Sequence, residues 1–195
     1  AEVIGMAWGF MDAAGLDLSK LTLSINSIGD MICRPHYAGE LATYYSDRIK
    51  SLCANCRRRL NDSPLRLLDC KEATCKELAQ EAPRSVDHLC GPCRGHWEKL
   101  LKYLRAMQIP YRVDSSLVRG LDYYTRTVFE IQSLQDRAQN TLCAGGRYDG
   151  LMEELGGKST PGVGFAAGLE RVILMPRHCD IPNIDSRPVV VVCLN

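Results

Sequence analysis

The sequence predicts an α+β fold: a mainly antiparallel sheet flanked by helices and interrupted by an inserted, mostly helical subdomain. Three observations lead there. Apolar residues recur at helical spacing near the start. β-rich runs follow one another without the regular strand–helix alternation that builds a parallel sheet. Between them the texture changes, and residues 53–108 hold six of the ten cysteines.

Val3, Ile4, Ala7, Phe10, Met11 and Ala14 predict a helix over 3–14, with Gly15 placed to cap it. "LTLSINSIG" alternates Leu21, Leu23 and Ile25 against Thr22, Ser24 and Asn26, which is a half-buried strand ending by Gly29. Pro35 suits the first turn of a second helix, running to about Leu52. From Cys53 the chain reads "CANCRRRL", a loop at "NDSP", a short helical piece around Leu78, then "CGPC" and a long helix from about Gly95 to Met107. Strands return with "YRVDSSLVRG", "TRTVFEIQS" and "NTLCAGG". In the second of these, alternation puts Thr127, Phe129 and Ile131 on one face and Arg126, Val128 and Glu130 on the other. The helix "RYDGLMEELGG" follows, then "TPGVGFAAGLERVILMP", a strand leading into a helix. "RHCDIPNIDSRP" reads as a linker before a last β-branched strand. The expected organisation is therefore 1–52 and 109–178 as parts of one domain, 53–108 as the insertion, and 179–195 as a linker and the first strand of something further.

The chain has 195 residues, 46% of them hydrophobic, which suffices for a core without covalent staples. Twenty-four Lys+Arg against 23 Asp+Glu leave a net charge of +1, so any nucleic-acid contact must come from a local patch. No run of about 18 apolar residues is long enough to span a membrane. "AEVIGMAWGF" lacks the charged leader of a signal peptide, so a reducing, cytoplasmic setting is expected, where metal binding outranks disulfides. The start without Met and the β-branched end read as a fragment of a longer protein.

Three stretches carry chemistry. "SSLVRGLDYYTRTVFE" places Arg119, Tyr123 and Tyr124 just ahead of a strand. A guanidinium offers a planar fork for phosphate or carboxylate, and phenols offer apolar walls with polar tips. The plainer reading sends the two tyrosines to opposite faces, one into the core. "CAGGRYDG" pairs Gly145 and Gly146 with Arg147 and Tyr148, and alone is compatible with a simple turn. "TPGVGFAAGLERVIL" spaces Gly162, Gly164 and Gly168 through a strand-to-helix junction ahead of Arg171. It fits neither the dinucleotide fingerprint nor a Walker A loop, and close helix–sheet packing is the alternative.

Together, and in this order, "LVRGLDYYTRTVFE", "AGGRYDGL" and "GVGFAAGLERVIL" resemble the histidyl-tRNA synthetase family, with support from "INSIGD" and "SPLRLLDCK". The last resembles motif 3 of class II aminoacyl-tRNA synthetases, and the first the histidine-specific signature. The resemblance implies the class II type of antiparallel sheet and activation of histidine with ATP and Mg, followed by transfer to tRNA(His), in a homodimeric protein. It implies Arg119 as the catalytic arginine on histidine and the α-phosphate. Tyr123, Tyr124, Tyr148, Gly145 and Gly146 would form the histidine pocket. Arg171, Gly164 and Gly168 would serve ATP, with Arg171 stacked on adenine. Nothing in the chain matches motif 1 or motif 2, so the 195 residues alone are expected to be inactive. The alternative is a non-catalytic, synthetase-like regulatory subunit of ATP phosphoribosyltransferase; such proteins typically lose the first arginine of the signature or that of motif 3, and both are present. A zinc-stapled RNA-binding module would explain the cysteines but leave the three motifs idle.

The C-x-x-C pairs Cys53/Cys56 and Cys90/Cys93, separated by 33 residues, could hold one structural zinc between them, with Cys70 and Cys75 as substitutes. Reduced buried thiols are the alternative. Arg57, Arg58 and Arg59 read either as a solvated helix face or, by the resemblance, as tRNA contacts from the insertion. His36, His88, His96 and His178 show no catalytic spacing; His88 and His96 are outside candidates for metal ligation.

Overall fold

The computed structural model describes residues 1–118, 123–135 and 140–175. Arg119, His178 and the proposed linker and last strand at 179–195 lie outside them. Helix α1 (Glu2–Ala13) buries Ile4, Ala7, Trp8 and Met11, one stripe at helical spacing. Trp8 takes the place expected of Phe10, which stays on the exposed side. Gly15 adopts φ +77°, the left-handed turn anticipated at the helix end.

Strands β1 (Leu21–Ser27), β2 (Arg112–Val113), β3 (Thr125–Ser133), β4 (Thr141–Arg147) and β5 (Val163–Ala167) form a five-stranded sheet in the order β2-β1-β3-β4-β5. All pairings are antiparallel except β1 with β2. β2 is far shorter than "YRVDSSLVRG" suggests. Asp114 stops it by accepting the Ser116 N–H and hydroxyl, and the Leu117 N–H turns back onto the Asp114 carbonyl.

Helix α2 (Arg34–Ser46) ends earlier than expected, and a separate 3₁₀ turn at Ile49–Ser51 carries the chain to buried Leu52. Helices α3 (Ala54–Asp62) and α4 (Ala73–Gln80) frame a 3₁₀ turn at Pro64–Leu67. Helix α5 (Gly91–Ala106) begins within "CGPC" rather than at Gly95, because Pro92 is preorganised for a first helical turn. The short helices α6 (Leu151–Glu154) and α7 (Leu169–Ile173) follow β4 and β5.

Two cores lie on the two faces of the sheet. Leu21, Leu23, Ile25, Phe129 and Ile131 pack with α1 and with Trp97, Leu100 and Leu104 of α5. Val128 and Tyr124 pack with Tyr37, Leu41 and Tyr45 of α2 and with the α3–α4 segment. The second face is also polar. Buried Asn26 donates to the Leu117 carbonyl at 3.1 Å and accepts from Ser85 Oγ at 3.1 Å. Ser24 Oγ accepts from Arg112 Nε at 2.8 Å. Glu130 Oε2 accepts from Gln132 Nε2 at 2.8 Å and Thr141 Oγ1 at 3.0 Å. These bonds offset the cost of burying polar groups on a sheet.

Candidate functional site

β3 enters the sheet through an irregularity. Its register with β4 shifts between Thr125 and Val128, and Arg126 sits at φ +54°. The Arg126 N–H donates to the Gly29 carbonyl and its own carbonyl accepts from the Ile28 N–H, both at 2.7 Å. The end of β1 thus holds the chain just after the tyrosine pair.

Tyr123, Tyr124 and Tyr148 converge there. Ring centroids lie 4.8 Å apart for Tyr123–Tyr124, 6.1 Å for Tyr123–Tyr148 and 6.4 Å for Tyr124–Tyr148. Tyr124 is buried and the other two are half-buried, so the cluster has a packed base and an accessible side. The Tyr148 N–H donates to the Gly162 carbonyl at 2.8 Å, and the Asp149 N–H to Thr125 Oγ1 at 3.2 Å, which hangs the turn after β4 over the entry to β3. The two tyrosines do not go to opposite faces: their rings lie in one cluster, with Tyr124 in the core and Tyr123 against Tyr148.

The glycines explain how three phenols fit. A Cβ on Gly146 would come within 2.7 Å of the Tyr124 ring and 2.6 Å of the Thr127 carbonyl. One on Gly164 would meet the Tyr148 hydroxyl at 2.6 Å, and one on Gly145 would meet Phe129 at 2.8 Å. Side chains there would need the rings or strands to move. In this structure these glycines make room for tyrosines and neighbouring strands. Arg171 extends along Gly168 and donates from Nη1 to the Thr141 carbonyl at 2.8 Å.

Arg34, absent from the sequence-derived site, fastens this region. It donates from Nε to the Ile28 carbonyl at 3.4 Å and from Nη2 to the Gly29 carbonyl at 3.4 Å, and also to the Tyr124 carbonyl. Its neighbour "DMIC" offers the only sequence hint: Asp30 and Cys33 repeat the C-x-x-C spacing with a carboxylate in the first position. Glu130, treated above as one residue of an alternating strand, is a buried carboxylate on the same face as Val128.

The cysteines assemble differently from expectation. Cys53, Cys56, Cys70 and Cys75 form one group, and Asp30, Cys33, Cys90 and Cys93 another, with the ligand atoms of each within 4.8 Å of one another. The two C-x-x-C pairs therefore do not share a site. Cys53/Cys56 open α3, whereas Cys90/Cys93 open α5, which packs on the other core. Cys70 and Cys75, the substitutes, complete the first group. Backbone Cys56 N–H on its sulfur, against burial, draws the Cys53 thiol down to about 7. Burial pushes the Cys56 and Cys93 thiols up. Burial also disfavours ionised Asp30, but hydrogen bonds from the Cys93 thiol and the Ile32 and Cys33 backbone hold it at about 2. Among the described residues neither His88 nor His96 joins a group: His88 lies against His36 and Tyr37, and His96 against Thr127 Oγ1 at 3.1 Å. Arg57, Arg58 and Arg59 are exposed on α3; Arg57 donates to the Leu52 carbonyl and Arg58 to Asn55 Oδ1.

The sequence profile of the family described as histidyl-tRNA synthetase matches residues 1–172. The chain belongs to this family. A curated histidine–tRNA ligase of Dehalococcoides mccartyi (strain ATCC BAA-2100) is 48% identical over 191 residues, covering 97% of this chain and 45% of the relative. The chain thus spans about 45% of the length of that relative. The crystal structure of apo S. aureus histidyl-tRNA synthetase superposes with a TM-score of 0.67 at 39% identity, over 89% of this chain and 42% of the other. A Bacillus halodurans structure described as an ATP phosphoribosyltransferase regulatory subunit/histidyl-tRNA synthetase shares the fold at TM-score 0.54 and 22% identity, over 88% of this chain and 48% of the other. Family membership makes the sheet that of a class II aminoacyl-tRNA synthetase, as the motifs imply. No helix among the described residues is long and apolar enough to cross a membrane.

Proposed function

We propose that this chain is the part of a histidyl-tRNA synthetase that binds histidine and the adenine end of ATP, in a protein that forms histidyl-adenylate and transfers histidine to tRNA(His). The observation that carries this reading is the convergence of Tyr123, Tyr124 and Tyr148 over the glycine-floored entry to β3. Two half-buried phenols beside a buried one suit a flat, polar ring such as imidazole, and a pocket of hydrogen-bonding tips rejects rings that lack its nitrogens. Gly146 forms the floor beneath Tyr124, while Gly145 beside it turns toward Phe129 and lends the pocket only its backbone. Arg119 is the catalytic arginine of the reading, relieving negative charge where the histidine carboxylate attacks the α-phosphate of Mg-bound ATP. Arg171 leaves the Thr141 carbonyl to stack on adenine, with Gly164 and Gly168 keeping that junction thin.

The same reading assigns 1–52 and 109–178 to the catalytic domain, 53–108 to the insertion and 179–195 to a linker and the first strand of an anticodon-binding domain. Exposed Arg57, Arg58 and Arg59 give the insertion a basic face for tRNA phosphates. The working protein is a cytoplasmic homodimer, and the 195 residues alone, without motif 2, form no adenylate. The test is histidine-dependent ATP–pyrophosphate exchange by a full-length synthetase carrying this chain, beside Arg119→Ala. Exchange restricted to histidine and reduced by about 100-fold or more in the variant supports the reading. Histidine binding without exchange would favour the regulatory subunit instead.

A further inference from the structure

We propose that the chain holds two separate structural zinc ions, a four-thiolate site at Cys53, Cys56, Cys70 and Cys75 and a three-thiolate, one-carboxylate site at Cys33, Cys90, Cys93 and Asp30. Each group contains four ligand atoms within 4.8 Å of one another. A tetrahedral zinc with bonds of about 2.3 Å to sulfur requires sulfur–sulfur edges of about 3.8 Å. The Cys53–Cys70 sulfur separation is 3.9 Å, which fits that edge and is nearly twice a disulfide bond of about 2.0 Å. The seven cysteines of the two groups form no disulfide.

The surroundings suit anionic sulfur. In the first site the Cys53 N–H points at Cys75 Sγ at 3.3 Å, and the Cys56 N–H at Cys53 Sγ at 3.4 Å. Backbone donors aimed at ligating sulfurs spread the negative charge that four thiolates bring. In the second site the Asp30 N–H points at Cys33 Sγ at 3.4 Å, and Cys93 Sγ lies 3.0 Å from Asp30 Oδ2, a thiol–carboxylate contact that a shared metal would replace once the thiol gives up its proton. Cys90 Sγ lies 3.9 Å from both Asp30 oxygens. Arg126 Nη2 stands 3.6 Å from Asp30 Oδ2 and supplies an outer cation. Cys53, Cys33 and Cys90 are each the N-cap residue of a helix of eight or more residues, where the helix dipole favours an anion.

Both sets match zinc, which takes sulfur and carboxylate oxygen in closed tetrahedral sites when its role is structural. The sites do different jobs. The first ties α3 to α4 within 23 residues of chain and staples a segment built of short helices and turns. The second ties the loop between β1 and α2 to the start of α5, joining residues 57 to 63 apart in sequence.

The test measures metal, so its failure leaves the synthetase reading standing. The full-length synthetase carrying this chain is purified without chelator and its zinc determined beside Cys56→Ser, Cys93→Ser and Asp30→Cys. Two zinc ions per protomer are expected, falling to one in each serine variant and remaining two in Asp30→Cys. Cobalt replacement gives a readout that does not depend on the serine variants folding: Asp30→Cys converts the second site to four thiolates, so sulfur-to-cobalt charge-transfer absorption rises at an unchanged cobalt count. One zinc per protomer in the unsubstituted protein, or loss of the same single ion by both serine variants, would overturn the two-site proposal. Less than about half an equivalent, with all seven ligand thiols reactive in the native protein, would overturn both sites.

Discussion

The two cysteine clusters use the same local device and put it to different ends. Each has a C-x-x-C pair opening a helix, at α3 and at α5. The first finds its partners close by in sequence, at Cys70 and Cys75. The second reaches back to Asp30 and Cys33, at the end of the strand that holds the entry to β3. The next residue, Arg34, grips the carbonyls of Ile28, Gly29 and Tyr124. A cluster closed over short sequence stabilises its own segment, whereas one closed over long sequence fixes the geometry of two elements and whatever lies between them.

The contrast predicts a separation of effects. Cys93→Ser frees the turn that leads into Arg34 at the start of α2 and raises the histidine KM in pyrophosphate exchange by about tenfold or more, through loosened positioning of Tyr124. Cys56→Ser lowers the thermal midpoint of the α3–α4 segment but leaves the histidine KM within about twofold, because its cluster closes within residues 53–75 and does not include the Asp30–Cys33 turn that leads into Arg34. Steady-state exchange kinetics with a thermal melt on each variant checks both. Equal KM effects would erase the distinction between the clusters.

A smaller effect sharpens the same comparison. Arg34→Ala removes a charged donor from three carbonyls, and a lost charge-assisted hydrogen bond costs about 1.5–3 kcal/mol. Spread over a loop that the second cluster still holds, this amounts to a drop of about tenfold in kcat/KM for histidine. Zinc content stays unchanged. If Arg34→Ala is silent while Cys93→Ser is not, the second cluster acts on the site by another route.

How much of this was legible follows from the range of the interaction involved. β3 and β4 were readable because alternation and glycine signals are local. α5 begins earlier than its apolar pattern because Pro92, inside a C-x-x-C pair, also suits a first helical turn. β2 shrank because Asp114 turns the chain back after two residues, a side-chain event that β-rich composition hides. The partition of the cysteines could not be read from spacing. Two identical C-x-x-C pairs look like two halves of one site until the topology sends α3 and α5 to opposite faces of the sheet, and a ligand set containing Asp30 escapes a count of cysteines. The tyrosine cluster was named from motif resemblance, while the reason for its glycines, room for Tyr124 and Tyr148, needed the packing.

The central claim is that the tyrosine cluster is the histidine pocket. Its most direct test is the pair of KM values, for histidine and for ATP, in pyrophosphate exchange by the full-length synthetase with Tyr148→Ala. Tyr148 is half-buried, so its removal spares the core that Tyr124 anchors. The account predicts a histidine KM raised by about tenfold or more with the ATP KM changed by less than about twofold. An equal rise in both, or a histidine KM left unchanged, would contradict it.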